Sequence, residues 1–357
     1  MNEIAKTYQK NNKKYDDFRK KVDELIRELL LQRDIRVHKI ESRCKEVDKL
    51  DEKINRKNNK YGDILEITDI IGIRIITYFE DEVDIIASII EKEFIKDSEN
   101  SIDKRNLEMD RFGYKSLHYV VSLKDDRKEL TEYKRFKDIK FEIQIRSVLQ
   151  HAWAEIEHDI GYKSELSLPN SLKRDFYRVA ALLETADIEF VKIKDKLKEY
   201  KLNVSTEIEN NPEEVEINQY SLRAYLESES LILEIDQELV KISNGTIDLE
   251  RYFDLHLDFV GLLYYLDITT IKKLETALHS NKNNILSFAK IWLSNSTNGK
   301  YLRGVSIFYL CYFLVGEKND LDFAIKYYST KLTKSNIVTP HNIEIAQKII
   351  DTYNKIK

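Results

Sequence analysis

Cysteine, proline and glycine are all scarce in this chain. Of its 357 residues, 2 are cysteine, 3 proline and 9 glycine. Cys44 and Cys311 stand far apart, which excludes a disulfide framework and a cysteine metal site. So little glycine and proline argues against a loop-rich all-β fold and favours helices. Long apolar runs are missing too. The longest, Val305 to Val315, falls well short of the roughly 20 residues that a membrane span needs. Met1 to Lys14 is polar and lysine-rich with no apolar centre, unlike a signal peptide. The expectation is a cytoplasmic protein with no membrane contact. A strong charge of one sign is also absent. The net charge is −5, so binding of nucleotide or nucleic acid must rest on a local basic patch.

What is present is a block from Asp110 to Lys163. Leu117, Tyr119, Val121 and Leu123 alternate with other residues, and so do Phe141, Ile143 and Ile145. A period of two over aromatic and branched residues predicts two strands. Glu142, Gln144 and Arg146 fill the gaps of the second strand and share its other face. A carboxylate, an amide and a guanidinium in one row suit a ligand or a metal better than bulk water.

Upstream, Asp69 to Tyr78 is a nearly continuous apolar run, the mark of a strand covered on both faces. Arg74 interrupts it. An arginine there needs a partner, because breaking a buried ion pair costs several kcal/mol, about 3–5. Either Asp69 is that partner, or both residues flank a site at the strand end. Amphipathic spacing predicts helices over 13–33 and 81–95, the latter with Val83, Ile86, Ile89 and Ile90 inward. A helix from about Val47 turns Leu50 and Ile54 inward and stacks Lys49, Lys53 and Arg56 on one face. That row is either a solvated face among Glu46, Asp48, Asp51 and Glu52, or a seat for an anion.

After the block, 167–199 reads as a helix with Pro169 near its start. The polar, acidic stretch 200–216 with Pro212 reads as a linker. Helical patterns then cover 218–243, 247–280, 282–295, 302–316, 319–332 and 339–356, with breaks at Asn283-Asn284 and from Asn295 to Gly299. The expected organisation is therefore a domain over 1–205 and an all-α regulatory, oligomerisation or partner-binding domain over 206–357.

Asp69-Ile-Ile-Gly-Ile-Arg74, Gly113-Tyr114-Lys115-Ser116-Leu117-His118, Glu142-Ile-Gln144-Ile-Arg146 and His151-Ala-Trp153 with Glu157-His158 follow one another in an order that resembles the RelA/SpoT-type alarmone synthetase domain. Arg43-x-Lys45 with Lys53 and Arg56 fits that family's ATP-binding helix. The resemblance runs over about 20–190. It implies an α+β fold, a nucleotidyltransferase-like mixed sheet flanked by helices. It implies an ATP- and Mg²⁺-dependent pyrophosphokinase that makes (p)ppGpp from GDP or GTP, as in the stringent response. Asp69 and Glu142 then correspond to the Mg²⁺ carboxylates, and Glu142 also to the group that assists deprotonation of the acceptor hydroxyl. Gln144 and His118 join these two as catalytic candidates. Arg43 and Arg74 correspond to the adenine sandwich, and Lys45, Lys53 and Arg56 to phosphate contacts. Tyr114 corresponds to the ring stacked on the acceptor base, with Lys115, Arg146 and His151 on the acceptor side. Trp153 reads as core.

Two positions depart from the family pattern. Many small alarmone synthetases carry a lysine where Asp110 stands, and an asparagine where His151 stands. Both changes concern the acceptor. Toxic small synthetases of the family instead pyrophosphorylate the 3′ CCA end of tRNA, so a tRNA acceptor stays open. The basic residues from Lys6 to Lys21 could then meet its backbone. A nucleotide-binding regulator without catalysis is the third reading. Small members often form tetramers, which leaves a homo-oligomer open, and the helical half could bind a protein regulator. Only His38 precedes the motifs, so the hydrolase module of the long members is not expected.

Overall fold

The computed structural model of the protein describes residues 1–57, 60–103, 116–162, 170–228, 230–252, 259–294, 299–332 and 337–357. The chain divides into two compact units, Met1–Asp195 and Lys196–Lys357. Among the described residues, no helix is long and apolar enough to cross a membrane.

The first unit opens on helix α1, Glu3–Leu31, capped by the Asn2 side chain, which accepts from the Ile4 amide at 2.9 Å. The helix starts ten residues before the expected 13. Ala5 and Tyr8, both fully buried, anchor that added stretch among its lysines and asparagines. There follow β1 (Lys39–Cys44), α2 (Val47–Arg56), β2 (Ile71–Thr77), α3 (Asp81–Glu93), β3 (Phe94–Lys96) and β4 (Ile102–Asp103). Then come β5 (Leu117–Leu123), the single turn α4 (Asp125–Lys128), β6 (Phe141–Ser147), α5 (Val148–Tyr162) and α6 (Asn170–Asn210).

The strands form one mixed sheet in the order β1-β2-β6-β5-β3, with β4 also on β5. The β2–β6 pair is parallel; the β1–β2, β5–β6 and β3–β5 pairs are antiparallel. The alternation read from the sequence sorts this sheet into two faces. On one, Ile75, Ile145 and Leu117 stand in a row, as do Ile73, Ile143 and Tyr119. α1 covers this face: Phe18 stacks on Phe136 at 4.9 Å and meets Phe141 edge-on at 5.7 Å. Val83, Ile86, Ile89 and Ile90 of α3 join the same core. The opposite face is polar. One row holds Glu41, Arg74, Gln144 and His118; the next holds Arg43, Gly72, Glu142 and Val120.

Three expectations about the chain after 200 need correction. The supposed linker is helical as far as Asn210, because Val204 and Ile208, one turn apart, are buried in the second unit's core. The division between the two compact units falls inside α6, at 195/196. The second unit, α7 (Gln219–Ser228), α8 (Ser230–Ile242), β7 (Thr246–Tyr252), α9 (Phe259–Tyr265), α10 (Ile271–Trp292), β8 (Lys300–Arg303), α11 (Val305–Glu317), α12 (Leu321–Lys326) and α13 (Pro340–Asn354), is mainly helical. It also carries a two-stranded parallel sheet, β7–β8, where helix was expected from 247. α10 runs straight through Asn283-Asn284, because Leu274, Leu278, Ile285 and Phe288 keep one buried face in register.

Candidate active site

The polar face of the sheet gathers most of the described candidates. The chain leaves β1 at Cys44, and Lys45 is pinned there. Its carbonyl accepts from the Tyr8 hydroxyl at 2.7 Å, and its amide donates to the Ile70 carbonyl at 2.8 Å. Lys53 lies on α2, facing the turn before β2. Both ammonium groups close on Asp69 in that turn, Lys45 Nζ at 2.6 Å from Oδ2 and Lys53 Nζ at 2.7 Å from Oδ1. Burial by itself would raise the Asp69 pKa, but these two lysines outweigh it and hold the carboxyl below its usual range. Asp69 is thus not the partner of Arg74. Arg74 Nη1 instead meets Glu155 of α5 at 3.0 Å and Glu41 of β1 at 3.5 Å. Lys49 points away, paired with Glu52 at 3.5 Å on an exposed face, so the stacked row of basic residues on α2 splits. Arg56 lies exposed at the end of that helix.

Glu142 is the second carboxylate. His118 Nδ1 lies 2.7 Å from its Oε1, and Gln144 Nε2 donates to Oε2 at 3.3 Å. Arg146 in turn donates to the Gln144 side chain. Burial would raise the Glu142 pKa, yet the His118 hydrogen bond and charge outweigh it and lower it. The Asp69 charge acts the other way and raises the Glu142 pKa, the smallest of these effects.

Guanidinium groups crowd the other end of this face. Arg146 is 4% exposed, and burial, then the charges of Arg74 and Arg43, bring its pKa down to about 10. His151 sits in the same field. Burial lowers its pKa first, then repulsion from Arg74 and Arg146, against Glu155 and Glu41. Its Nδ1 is 3.7 Å from Glu155. Such a concentration of positive groups favours an anionic ligand. Gly72 lies between Arg43 and Glu142, and a Cβ built there would meet nothing within 4 Å. The floor between the arginine and the carboxylate is open.

Tyr114 and Lys115, with Asp110, lie outside the described residues. Trp153 is core, 2% exposed and 4.2 Å from the Phe176 ring. Four residues of the site escaped the sequence reading: Ser116, Tyr8, Glu41 and Glu155. Glu41 alternates with Arg43, and Glu155 follows His151 by one helical turn, so both signals were present in the spacing.

Magnesium prefers one or two carboxylates together with phosphate oxygens. No group of three or more metal-ligating side chains occurs among the described residues.

The family described as "Region found in RelA / SpoT proteins" matches residues 42–167. That segment is a RelA/SpoT-type domain. It contains all of the strands β1 to β6 apart from the first residues of β1, and with them the polar face. The chain is 29% identical over 162 residues to the GTP pyrophosphokinase YjbM of Bacillus subtilis, covering 45% of this chain and 73% of YjbM. To the GTP pyrophosphokinase YwaC of the same organism it is 28% identical over 137 residues, covering 37% of this chain and 60% of YwaC. Among solved structures, small alarmone synthetase 1 from Bacillus subtilis has 25% identity and a TM-score of 0.46, covering 54% of this chain and 98% of that one.

Proposed function

We propose that this RelA/SpoT-type domain is a pyrophosphokinase that moves the β,γ-pyrophosphoryl group of ATP to the 3′-hydroxyl of GDP or GTP. The observation that carries the reading is the joint setting of Asp69 and Glu142. Asp69, in the turn before β2, is clasped by Lys45 and Lys53; Glu142, on β6, lies beside His118 and Gln144 and feels the Asp69 charge. The names of the two relatives, both GTP pyrophosphokinases, support the same chemistry. Transfer of this kind needs alignment and charge neutralisation more than covalent intermediates.

The roles proposed are those that the motif resemblance implies. Lys45 and Lys53 pair with Asp69, and in the reaction they turn to the phosphates of ATP. Arg43 and Arg74 face each other's strands and take the adenine between their planes, a task that suits guanidinium better than ammonium. Glu142 receives the proton of the acceptor hydroxyl as its oxygen bonds to the β-phosphorus and AMP leaves. Asp69 and Glu142 would hold Mg²⁺, which supplies charge neutralisation on the phosphates. Tyr114, Lys115, Arg146 and His151 serve the acceptor.

A second acceptor, the 3′ CCA end of tRNA, is favoured by Asp110 and His151, which replace the residues that hold a guanine nucleotide's base and phosphates in many small synthetases. Purified protein with γ-labelled ATP, Mg²⁺ and GDP, GTP or tRNA separates the readings. Label on GDP or GTP supports the first, and label on tRNA supports the second. Label on none of them removes the pyrophosphokinase reading and leaves a nucleotide-binding regulator. The second unit is proposed as a regulatory or partner-binding module.

A further inference from the structure

We infer that Ser116 is a positioning residue for Glu142, acting through His118. The inference rests on the proposed pyrophosphokinase reaction and names a component of its site that the motif resemblance leaves without a role.

Ser116, His118 and Glu142 form a continuous chain of contacts. Ser116 immediately precedes β5 and is 8% exposed. Its Oγ lies 2.7 Å from His118 Nε2. The opposite ring nitrogen, Nδ1, lies 2.7 Å from Glu142 Oε1. An ionised carboxylate can only accept, so Nδ1 carries a proton in either charge state of the ring, and in the neutral ring Nε2 is then bare. Nε2 then has a lone pair, and the Ser116 hydroxyl is the donor that meets it. The ring is held at both ends, one tautomer is selected, and Nδ1–H is aimed at one oxygen of Glu142.

The consequence falls on the other oxygen. With Oε1 held by His118 at 2.7 Å, Oε2 is the less tightly engaged oxygen of Glu142 and the one better placed to turn to a substrate. Among the described residues its donor there is Gln144 Nε2, at 3.3 Å, a long contact. Oε2 is therefore the atom that takes the 3′-hydroxyl proton while the new O–P bond forms and the bond to AMP breaks. Ser116 touches neither nucleotide in this scheme. It fixes the ring that fixes the base, as outer partners do for catalytic and metal-bound histidines.

Loss of the hydroxyl frees the ring to turn or to change tautomer, while Arg43, Arg74, Lys45 and Lys53 keep their places. The test compares Ser116→Ala with Ser116→Thr in the full chain. Ser116→Ala should lower kcat on the order of 10-fold, the usual scale for such outer partners, and leave the KM for ATP unchanged. Ser116→Thr, which keeps the hydroxyl, should restore kcat. In parallel, ¹⁵N spectra of the His118 ring, assigned with His118→Gln, report the tautomer without any turnover. Wild type and Ser116→Thr should show the Nδ1–H form, and Ser116→Ala a mixture. The inference is overturned if Ser116→Ala keeps wild-type kcat where Glu142→Gln is inactive, or if its ring stays wholly in the Nδ1–H form. An Nε2–H ring in wild type overturns it as well. If wild type makes no product with any acceptor, the pyrophosphokinase reading falls, and the spectra still decide the Ser116 contact.

Discussion

Asp187 gives the sharpest prediction about stability. It sits on α6 inside the first unit, 1% exposed, with Oδ2 2.5 Å from the hydroxyl of Ser147 at the end of β6. Ser147 also accepts from the Gln150 amide at 3.1 Å, and Gln150 donates to Glu80 at 3.3 Å. Burial, and then the Glu80 charge, raise the Asp187 pKa from 3.8 to about 7. The difference, 7 − 3.8, is about 3 units. At about 1.36 kcal/mol per unit, ionising Asp187 costs the fold roughly 4 kcal/mol. The sign follows from the direction. A carboxyl with a raised folded-state pKa stabilises fully below its unfolded value, and that stability is lost as pH rises to its folded value. From about pH 5 to about pH 7, wild type should therefore lose roughly 2–3 kcal/mol through this group.

Asp187→Asn keeps an acceptor for Ser147 and cannot ionise. Its advantage over wild type should grow by that amount between about pH 5 and pH 7 and then level off. Urea unfolding at constant ionic strength measures it. Fluorescence of Trp153, which packs on α6 through Phe176, reports the first unit in a Trp292→Phe background, since the chain has 2 tryptophans. A stability difference that stays constant from about pH 5 to pH 8 would refute the reasoning.

Three further outcomes are expected. Arg74→Ala should weaken ATP binding about 10-fold, the worth of a stacked guanidinium, with little loss of stability because its ion pairs to Glu41 and Glu155 are partly exposed; calorimetric titration with ATP checks both points. Gly72→Ala adds a methyl that meets nothing within 4 Å among the described residues, so the melting temperature should hold while ATP affinity falls by about 10-fold, about 1.4 kcal/mol. Unchanged affinity would mean the open floor is not where nucleotide lies. Gly316→Ala should destabilise the second unit by about 1–3 kcal/mol, because its Cβ would come within 2.6 Å of the Tyr353 Cβ on α13; urea unfolding followed by circular dichroism measures it.

The sheet of the first unit was legible because its signals are local. Alternation at Leu117–Leu123 and Phe141–Ser147 and the apolar run through Ile71–Thr77 each declare a strand without reference to a partner. The polar row Glu142, Gln144 and Arg146 could be read as one face for the same reason. What the sequence hid is pairing. Nothing local says that Arg74 chooses Glu155, 81 positions downstream (155 − 74), over Asp69, five positions upstream. That choice is made by the parallel β2–β6 register and by two lysines that already occupy Asp69. The stretch after 200 misled for a related reason. Its polar composition resembles a linker, while two buried side chains, Val204 and Ile208, suffice to keep it helical. In the second unit, Thr246–Tyr252 was taken into a helix because its alternation is short and its strand partner lies some fifty residues away, at Lys300–Arg303.

The central claim is that Asp69 and Glu142 serve one transfer of pyrophosphate from ATP. It is tested most directly by product analysis of wild type beside Glu142→Gln, with γ-labelled ATP and each acceptor, and with ATP binding measured on the same samples. The account predicts labelled product from wild type only, with ATP bound equally by both. Product from Glu142→Gln at the wild-type rate would contradict it.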